Sequence, residues 1–327
     1  MTLAVHRRAS GSPRARSQAG LTLVELMVAL VIGLVISAAA VAALIVARNG
    51  FTMVDSTAQL RENARFSADL IQRLAVQAGF EDVAGGQHST VPPQGKLPAI
   101  QGYDDSLVTA AALPDGLTNG SRSTGCGGIT DSSCVNGSDA LVIRFWGTSR
   151  GGAADGSMIN CAGVAEPEGT ERATSIFHVM RSAAGEPTLV CTYRAADGTW
   201  TTEPLVPGVE GCQVLYGVDN VVPGTAPPAG ASGTDSVPDR YLRASQLVVA
   251  GNPVETANNW RRVRSLRIGL LFRGPANTAV DRAATAQTYN VLGDGLSVSA
   301  DTLSQLAIPA DGRLRQQLVI NIHLRNP

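Results

Sequence analysis

The apolar positions of the chain fall into three textures. From Leu26 to Ala47 there are 22 consecutive residues without a charge, LMVALVIGLVISAAAVAALIVA. A helix of that length covers the roughly 30 Å of a bilayer's hydrocarbon core. Beyond Ala47 the pattern turns amphipathic. Phe66, Leu70 and Leu74 stand four apart, Leu60, Ala64, Ile71 and Ala75 broaden the stripe, and Arg61, Glu62, Arg65, Asp69 and Arg73 take the other side. This spacing predicts that the helix continues and lays one face on a sheet. Gly79 is the predicted stop and Gly50 a soft point between the halves. Helical from Leu21 to Ala78, the rod would span about 87 Å at 1.5 Å per residue.

The third texture is short and strand-like. Residues 81–138 are rich in Gly, Ser, Thr, Pro and Asn and predict loops with short structured patches. From Asp139 onward, runs of β-branched and aromatic residues separated by turn residues predict strands. They are Ala140–Trp146, Ser175–Arg181, Thr188–Arg194, Gln213–Val218, Leu266–Phe272, Gln287–Val291 and Gln317–Leu324. The segment Pro223–Pro238 is too polar and Pro-rich for a core and predicts a loop. No fixed internal repeat is visible.

Composition adds exclusions. A formal net charge of -1 rules out nucleic-acid binding by bulk positive charge, so no nucleic-acid partner is expected. The chain has no G-x-x-x-x-G-K-[ST], no C-x-x-C and no H-E-x-x-H; Lys96 is the only lysine. Nucleotide-driven work and zinc chemistry therefore lack their usual residues. No catalytic residue, metal or cofactor is expected. The histidines, His6, His88, His178 and His323, have no ligand spacing. Asp219, Asp235 and Asp239 bracket the Pro-rich loop without the order of a calcium loop, so solvated acids are the simpler reading. The Arg261, Arg262, Arg264 and Arg267 cluster reads as a solvated face or a subunit contact rather than a DNA site.

The segment before the apolar run, MTLAVHRRASGSPRARSQAG, holds four arginines and no acid. By the positive-inside rule it stays in the cytoplasm, and the rest of the chain goes to the periplasm. The apolar run is longer than a secretory signal, and the small pair Ala19-Gly20 precedes it. A plain anchor leaves Glu25 unexplained, because a carboxylate at the edge of a spanning helix is costly unless paired.

Gly20-Leu21-Thr22-Leu23-Val24-Glu25-Leu26 resembles the class III signal of type IV prepilins and pseudopilins. The resemblance implies that a prepilin peptidase cuts between Gly20 and Leu21 and methylates the new amine of Leu21. Glu25 then stands at the fifth mature position, where it can neutralise its own terminal amine or that of a neighbouring subunit. Leu21 departs from the usual Phe but keeps an apolar side chain. Cleavage leaves 22 basic against 27 acidic residues.

The run Leu60-Arg61-Glu62-Asn63-Ala64-Arg65-Phe66, with Asp69-Leu70 and Ala78-Gly79-Phe80, is similar to the PilW family of minor pilins. Gly208-Val209-Glu210, Leu215-Tyr216-Gly217-Val218-Asp219, Asp239-Arg240-Tyr241, the segment Trp260 to Arg267, Leu314-Arg315 and Leu324-Arg325-Asn326 agree with the same family. A Gly-Cys pair that often follows the helix in the family is missing here.

The implied fold is α+β and pilin-like, a long N-terminal helix packed on an antiparallel β-sheet domain with long loops. The implied organisation is a cleaved leader 1–20, a transmembrane and polymerisation helix 21–48, an amphipathic helix 49–79 and a periplasmic head 80–327. The implied role is a minor type IV pilin that primes pilus assembly at low copy near the tip and supports twitching motility and adhesion. Its implied partners are other minor pilins and the major pilin, the prepilin peptidase, the inner-membrane assembly platform and membrane lipid. A J-like pseudopilin of type II secretion shares leader and architecture and stays open, as does a membrane-anchored periplasmic enzyme or binding protein. In the periplasm disulfides persist. The contexts of Cys161 and Cys191 resemble a cysteine pair of the family, while Cys126 and Cys134, eight apart in a Gly/Ser loop, could close a small ring. Cys212 is then the odd one, in a strand. Fifteen arrangements with one free thiol are open.

Overall fold

A computed structural model describes residues 20–81, 97–106, 108, 135–169, 171–195, 197–228, 233–276, 278–279, 286–296 and 305–325. The chain divides into two compact units, Met1–Phe51 and Thr52–Pro327. Helix α1 (Leu23–Gln77) begins in the first unit and ends in the second, without a break at Gly50. Every described residue of the first unit is exposed, its large apolar side chains included.

In the second unit α1 buries Ser56, Leu60, Ala64, Ser67, Ile71, Leu74 and Ala75. From Ser56 to Leu74 these positions advance by four or three residues, a mean near the helix's own 3.6 that keeps one face on the core. Leu60, Ala64, Ile71, Leu74 and Ala75 are buried as expected and Leu70 packs partly against the core, whereas Phe66 is corrected: it is 51% exposed. Ser67 takes the place expected for Phe66. Its hydroxyl donates to the Asn63 carbonyl (2.8 Å), so this small polar side chain is buried with its hydrogen bond made. Gly79, at φ 70°, ends the helix as expected, and its N–H donates to the Arg144 carbonyl (2.9 Å).

The strands follow as β1 (Ile100–Tyr103), β2 (Ala140–Phe145), β3 (Ser149–Arg150), β4 (Ala153–Ala154), β5 (Ala173–Arg181), β6 (Pro187–Arg194), β7 (Trp200–Pro207), β8 (Val209–Val218) and β9 (Arg240–Leu242). After a 3-10 turn (Ala244–Leu247) come α2 (Pro253–Trp260), β10 (Val263–Arg273), β11 (Gln287–Asn290), β12 (Gln305–Ile308) and β13 (Arg315–His323). One antiparallel sheet runs β1-β2-β5-β6-β7 and a second β13-β10-β8-β9, with small pairs β3-β4 and β11-β12. The head is therefore α+β, as expected.

Leu141, Ile143, Phe145, Phe177, Val179 and Leu189 of the first sheet share one core with Val214, Tyr216, Val218, Leu266, Ile268 and Leu270 of the second, and with the α1 stripe. Every residue of β2 and β8 is buried, the polar Arg144, Glu210 and Gln213 included. β1 lies inside the stretch expected to be loops, too short to stand out, and pairs with β2. The sheets approach closely at Gly102, where a Cβ would lie 1.6 Å from the Tyr216 hydroxyl. The residue that follows β11 lies as tightly over β10: a Cβ at Gly269 would meet the Val291 carbonyl oxygen at 2.0 Å.

Candidate functional site

The expected processing site lies at the start of α1. Thr22 precedes the first helical residue, and its backbone N–H donates to Glu25 Oε2 at 2.9 Å. Its hydroxyl meets the same oxygen at 3.0 Å, while the Glu25 N–H donates back to Thr22 Oγ1 at 3.3 Å. This is a capping box, in which two of the helix's unpaired N–H donors are satisfied reciprocally. The T-x-x-E spacing that signals it was legible in the sequence, but the role of Thr22 was missed. Glu25 is thereby folded back over the Leu21–Thr22 peptide, beside the residue whose amine cleavage at Gly20 would expose.

In the head, Cys161 and Cys191 form a disulfide with a Cα–Cα distance of 5.7 Å, as their contexts implied. Cys161 belongs to a turn organised by Asn160, whose side chain accepts from the N–H groups of Ala162 and Val164 (both 3.0 Å). The bridge pins that turn to the middle of β6. Cys212 is an unpaired buried thiol in β8, and burial pushes its pKa up. Cys126, Cys134, His6, His88 and Lys96 lie outside the described residues.

The arginine cluster is used internally. Arg264 Nε lies 3.5 Å from Asp219 Oδ2, and Arg262 donates to the carbonyls of Asn220 (3.3 Å) and Pro228 (2.8 Å). Arg267 donates to the Leu292 carbonyl (2.9 Å) and Arg261 to Asn258 Oδ1 (2.8 Å). The acids around the Pro-rich loop are backbone acceptors: Asp219 for Ser236 (2.9 Å), Asp235 for Val237 (2.9 Å) and Asp239 for Asn220 (2.6 Å). Each ties the loop to itself or to the end of β8. Among the described residues no group of three His, Cys, Asp or Glu converges as a metal site would need.

Sequence reasoning also missed a buried polar junction between the sheets. Asp139, at the start of β2, accepts from Asp105 N–H (3.0 Å) and from Val214 N–H in β8 (2.8 Å). Asp104 accepts from Ala244 and Ser245 at the head of the 3-10 turn (3.1 and 2.9 Å). Arg243 reaches Gln213 (3.1 Å) and stands 3.9 Å from Asp139. Burial, and then the neighbouring Asp104, raise the Asp139 pKa well above the usual carboxylate range. These partners are 30 to 141 residues apart in the chain, so no local motif announces them.

A groove of 540 Å³ beside the disulfide turn is lined by Glu166, Arg172 and Tyr193 among others. Its polar groups are engaged, Glu166 with Asn160 (2.7 Å) and Arg172 with the Leu97 carbonyl (3.0 Å). His178 in β5 is likewise structural, 2.9 Å from Thr192 Oγ1, which meets Thr202 at 2.8 Å. Burial lowers its pKa from 6.5 to about 4. The unfolded chain therefore binds the proton more readily between those values, and stability falls as pH drops through that window. Asp139 acts in the opposite sense: its raised pKa favours the protonated folded form, adding stability as pH falls towards its ordinary value. A comparison of wild type with His178→Gln isolates the imidazole. Between pH 7 and 4.5 the wild type should lose about 2 kcal/mol more than the variant in urea unfolding; parallel pH curves would contradict a buried neutral imidazole.

Comparison with known proteins adds the following. Residues 176–326 match the family of Type IV Pilus-assembly protein W (PilW), and residues 15–41 match the prokaryotic N-terminal methylation motif. The first match holds the Tyr216-Gly217-Val218-Asp219 and Trp260 to Arg267 segments; the run at 60–66 lies before it. Among solved structures the type IV-like pilin TTHA1219 from Thermus thermophilus is similar at 15% identity, over 82% of this chain and 97% of that chain, with a TM-score of 0.41. No curated protein matches the chain.

Proposed function

We propose that the chain is a PilW-like pilin, on its matches to the PilW family over 176–326 and to the N-terminal methylation motif over 15–41, and that it matures by cleavage between Gly20 and Leu21 and enters a type IV pilus as a minor subunit. The observation that carries this reading is the start of α1. A methylation motif over 15–41 coincides with a carboxylate held against the Leu21–Thr22 peptide, at the head of a helix whose apolar side chains as far as Phe51 are all exposed in the isolated subunit. Such a surface is stable only in lipid or among other apolar helices. The leader stays in the cytoplasm, the head is periplasmic, and assembly moves the helix from lipid into the filament core. The Leu21 amine, once freed, is the partner that lets Glu25 make that transfer without an unpaired charge.

In this reading the protein is not an enzyme. The head meets companion minor pilins and the major pilin, the assembly platform drives insertion, and low-copy placement near the tip serves priming, adhesion and twitching motility. Mass spectrometry of the N-terminus from a sheared filament fraction tests it. The expected polypeptide begins with N-methylated Leu21. A chain beginning at Met1 in a host that has the peptidase, or a mature chain missing from sheared filaments, would overturn the proposal.

A further inference from the structure

The two main sheets have four edges, and three are blunted. β1 is four residues long and wholly buried. β7 carries Pro204 and Pro207, and its pairing with β6 slips between Leu189 and Val190. β9 has three residues. Short length, proline and irregular pairing are the usual devices that stop a sheet from adding a strand.

β13 has none of them. It pairs with β10 through nine consecutive residue pairs, from Ser265↔His323 to Arg273↔Arg315, without an irregularity. At about 3.3 Å per residue it presents roughly 30 Å of regular edge. The direction of its backbone groups follows from the two ends. The Gly274 N–H donates to the Leu314 carbonyl (2.8 Å), and the Leu324 N–H donates to the Arg264 carbonyl (2.9 Å). An antiparallel ladder alternates bonded and non-bonded pairs, so the even-numbered residues between them face β10. Arg315, Gln317, Val319, Asn321 and His323 then aim their N–H and C=O groups away from the sheet. Among the described residues no backbone bond reaches these groups from the outer side.

The core also runs out at this edge. Leu270 and Ile268 of β10 are fully buried, whereas Leu318 and Ile320 opposite them on β13 are only half-buried; Ile322, opposite Leu266, is buried. The charge that would repel an incoming strand is spent inward, since Arg315 is paired with Glu210 and Asp311. A row of outward donors and acceptors with this spacing is satisfied by one kind of ligand, another extended backbone.

We propose that the β13 edge binds an extended strand of a different pilus subunit, whose alternate apolar side chains continue the Leu318–Ile320 row. The partner's chemistry comes from the edge; its identity as a companion subunit rests on the reading of the chain as a minor pilin, since a low-copy subunit has other subunits as neighbours.

The test is amide hydrogen exchange on the full processed chain in detergent, alone and with the purified companion minor pilins of the same pilus. The outward amides of Gln317, Val319 and Asn321 should exchange freely in the isolated subunit and slow at least about tenfold in the complex. The inward amides of Leu318 and Ile320 should be protected in both. Unchanged exchange at the outward positions within a complex that does form overturns the proposal. So does slowing that depends only on the concentration of this chain, which would assign the edge to a second copy. Val319→Pro removes an outward N–H and leaves the β10 ladder intact. The variant should be cleaved like wild type and lose at least about tenfold in co-purification with its companions; undiminished co-purification would count against the edge. If the wild-type chain is not cleaved at all, the pilin reading fails and not the edge assignment alone.

Discussion

Glu25→Ala and Glu25→Gln should both be cleaved normally and both fall at least about tenfold in sheared filaments. The pair of substitutions separates two roles that the geometry superimposes. Glu25 closes a capping box with Thr22 through contacts of 2.9 and 3.0 Å, and glutamine can make the same box. Only the carboxylate can neutralise a terminal amine inside an apolar environment. If pairing with the amine governs assembly, glutamine fails as completely as alanine. Recovery of wild-type incorporation by Glu25→Gln would assign the residue to helix capping and remove the docking role. The readout is the ratio of this subunit to major pilin in the sheared fraction, with N-terminal mass spectrometry to show that processing is intact.

Loss of the Cys161–Cys191 disulfide, made as Cys161→Ala with Cys191→Ala, should cost about 3–4 kcal/mol of unfolding free energy. The bridge closes a loop of 30 residues, which removes a large share of the freedom of that segment in the unfolded chain. Both cysteines are buried in the same core as Phe177 and Leu189, so alanine also leaves some space behind. Urea unfolding of the oxidised wild type, the reduced wild type and the double variant checks this. The last two should agree closely and lie well below the first. A shift under about 1 kcal/mol would mean that the Asn160 turn and the β5–β6 pairing hold this part of the head without the bridge. Reduction is also expected to free the turn that carries Glu166, which would show as increased proteolysis between β4 and β5.

Several elements were legible in the sequence because local chemistry alone specifies them. The strands β2, β5, β6, β8 and β10 stood out as β-branched runs because both of their faces are largely covered. Gly79 was legible as a helix stop because only a residue comfortable at positive φ suits that position. The disulfide was legible by context. Other features required the third dimension. Phe66 was misplaced in the helix stripe because it outweighs Ser67 on any hydrophobicity count, while the sheet selects by position along the 3.6-residue repeat. β7, an edge strand that carries two prolines, had no place among the expected strands. α2 was missed although Asn252 caps it by accepting from the Glu255 N–H (3.1 Å) and Pro253 opens it, signals that are short and easily read as a loop. The Asp104, Asp139 and Arg243 junction and the open side of β13 depend on partners far away in sequence. The site at Glu25 was read for its charge, while its hydrogen-bonding to Thr22 went unread.

The strand order also sets a timetable for maturation. β5, β6 and β7 are successive hairpins, so half of the head can close while the ribosome is still adding residues. β10 must wait for β13, which lies well beyond it in sequence, and Ile322 of that strand completes the core around the α1 stripe. The two sheets therefore close at different stages, the first from neighbouring hairpins and the second only once segments far apart along the chain have met.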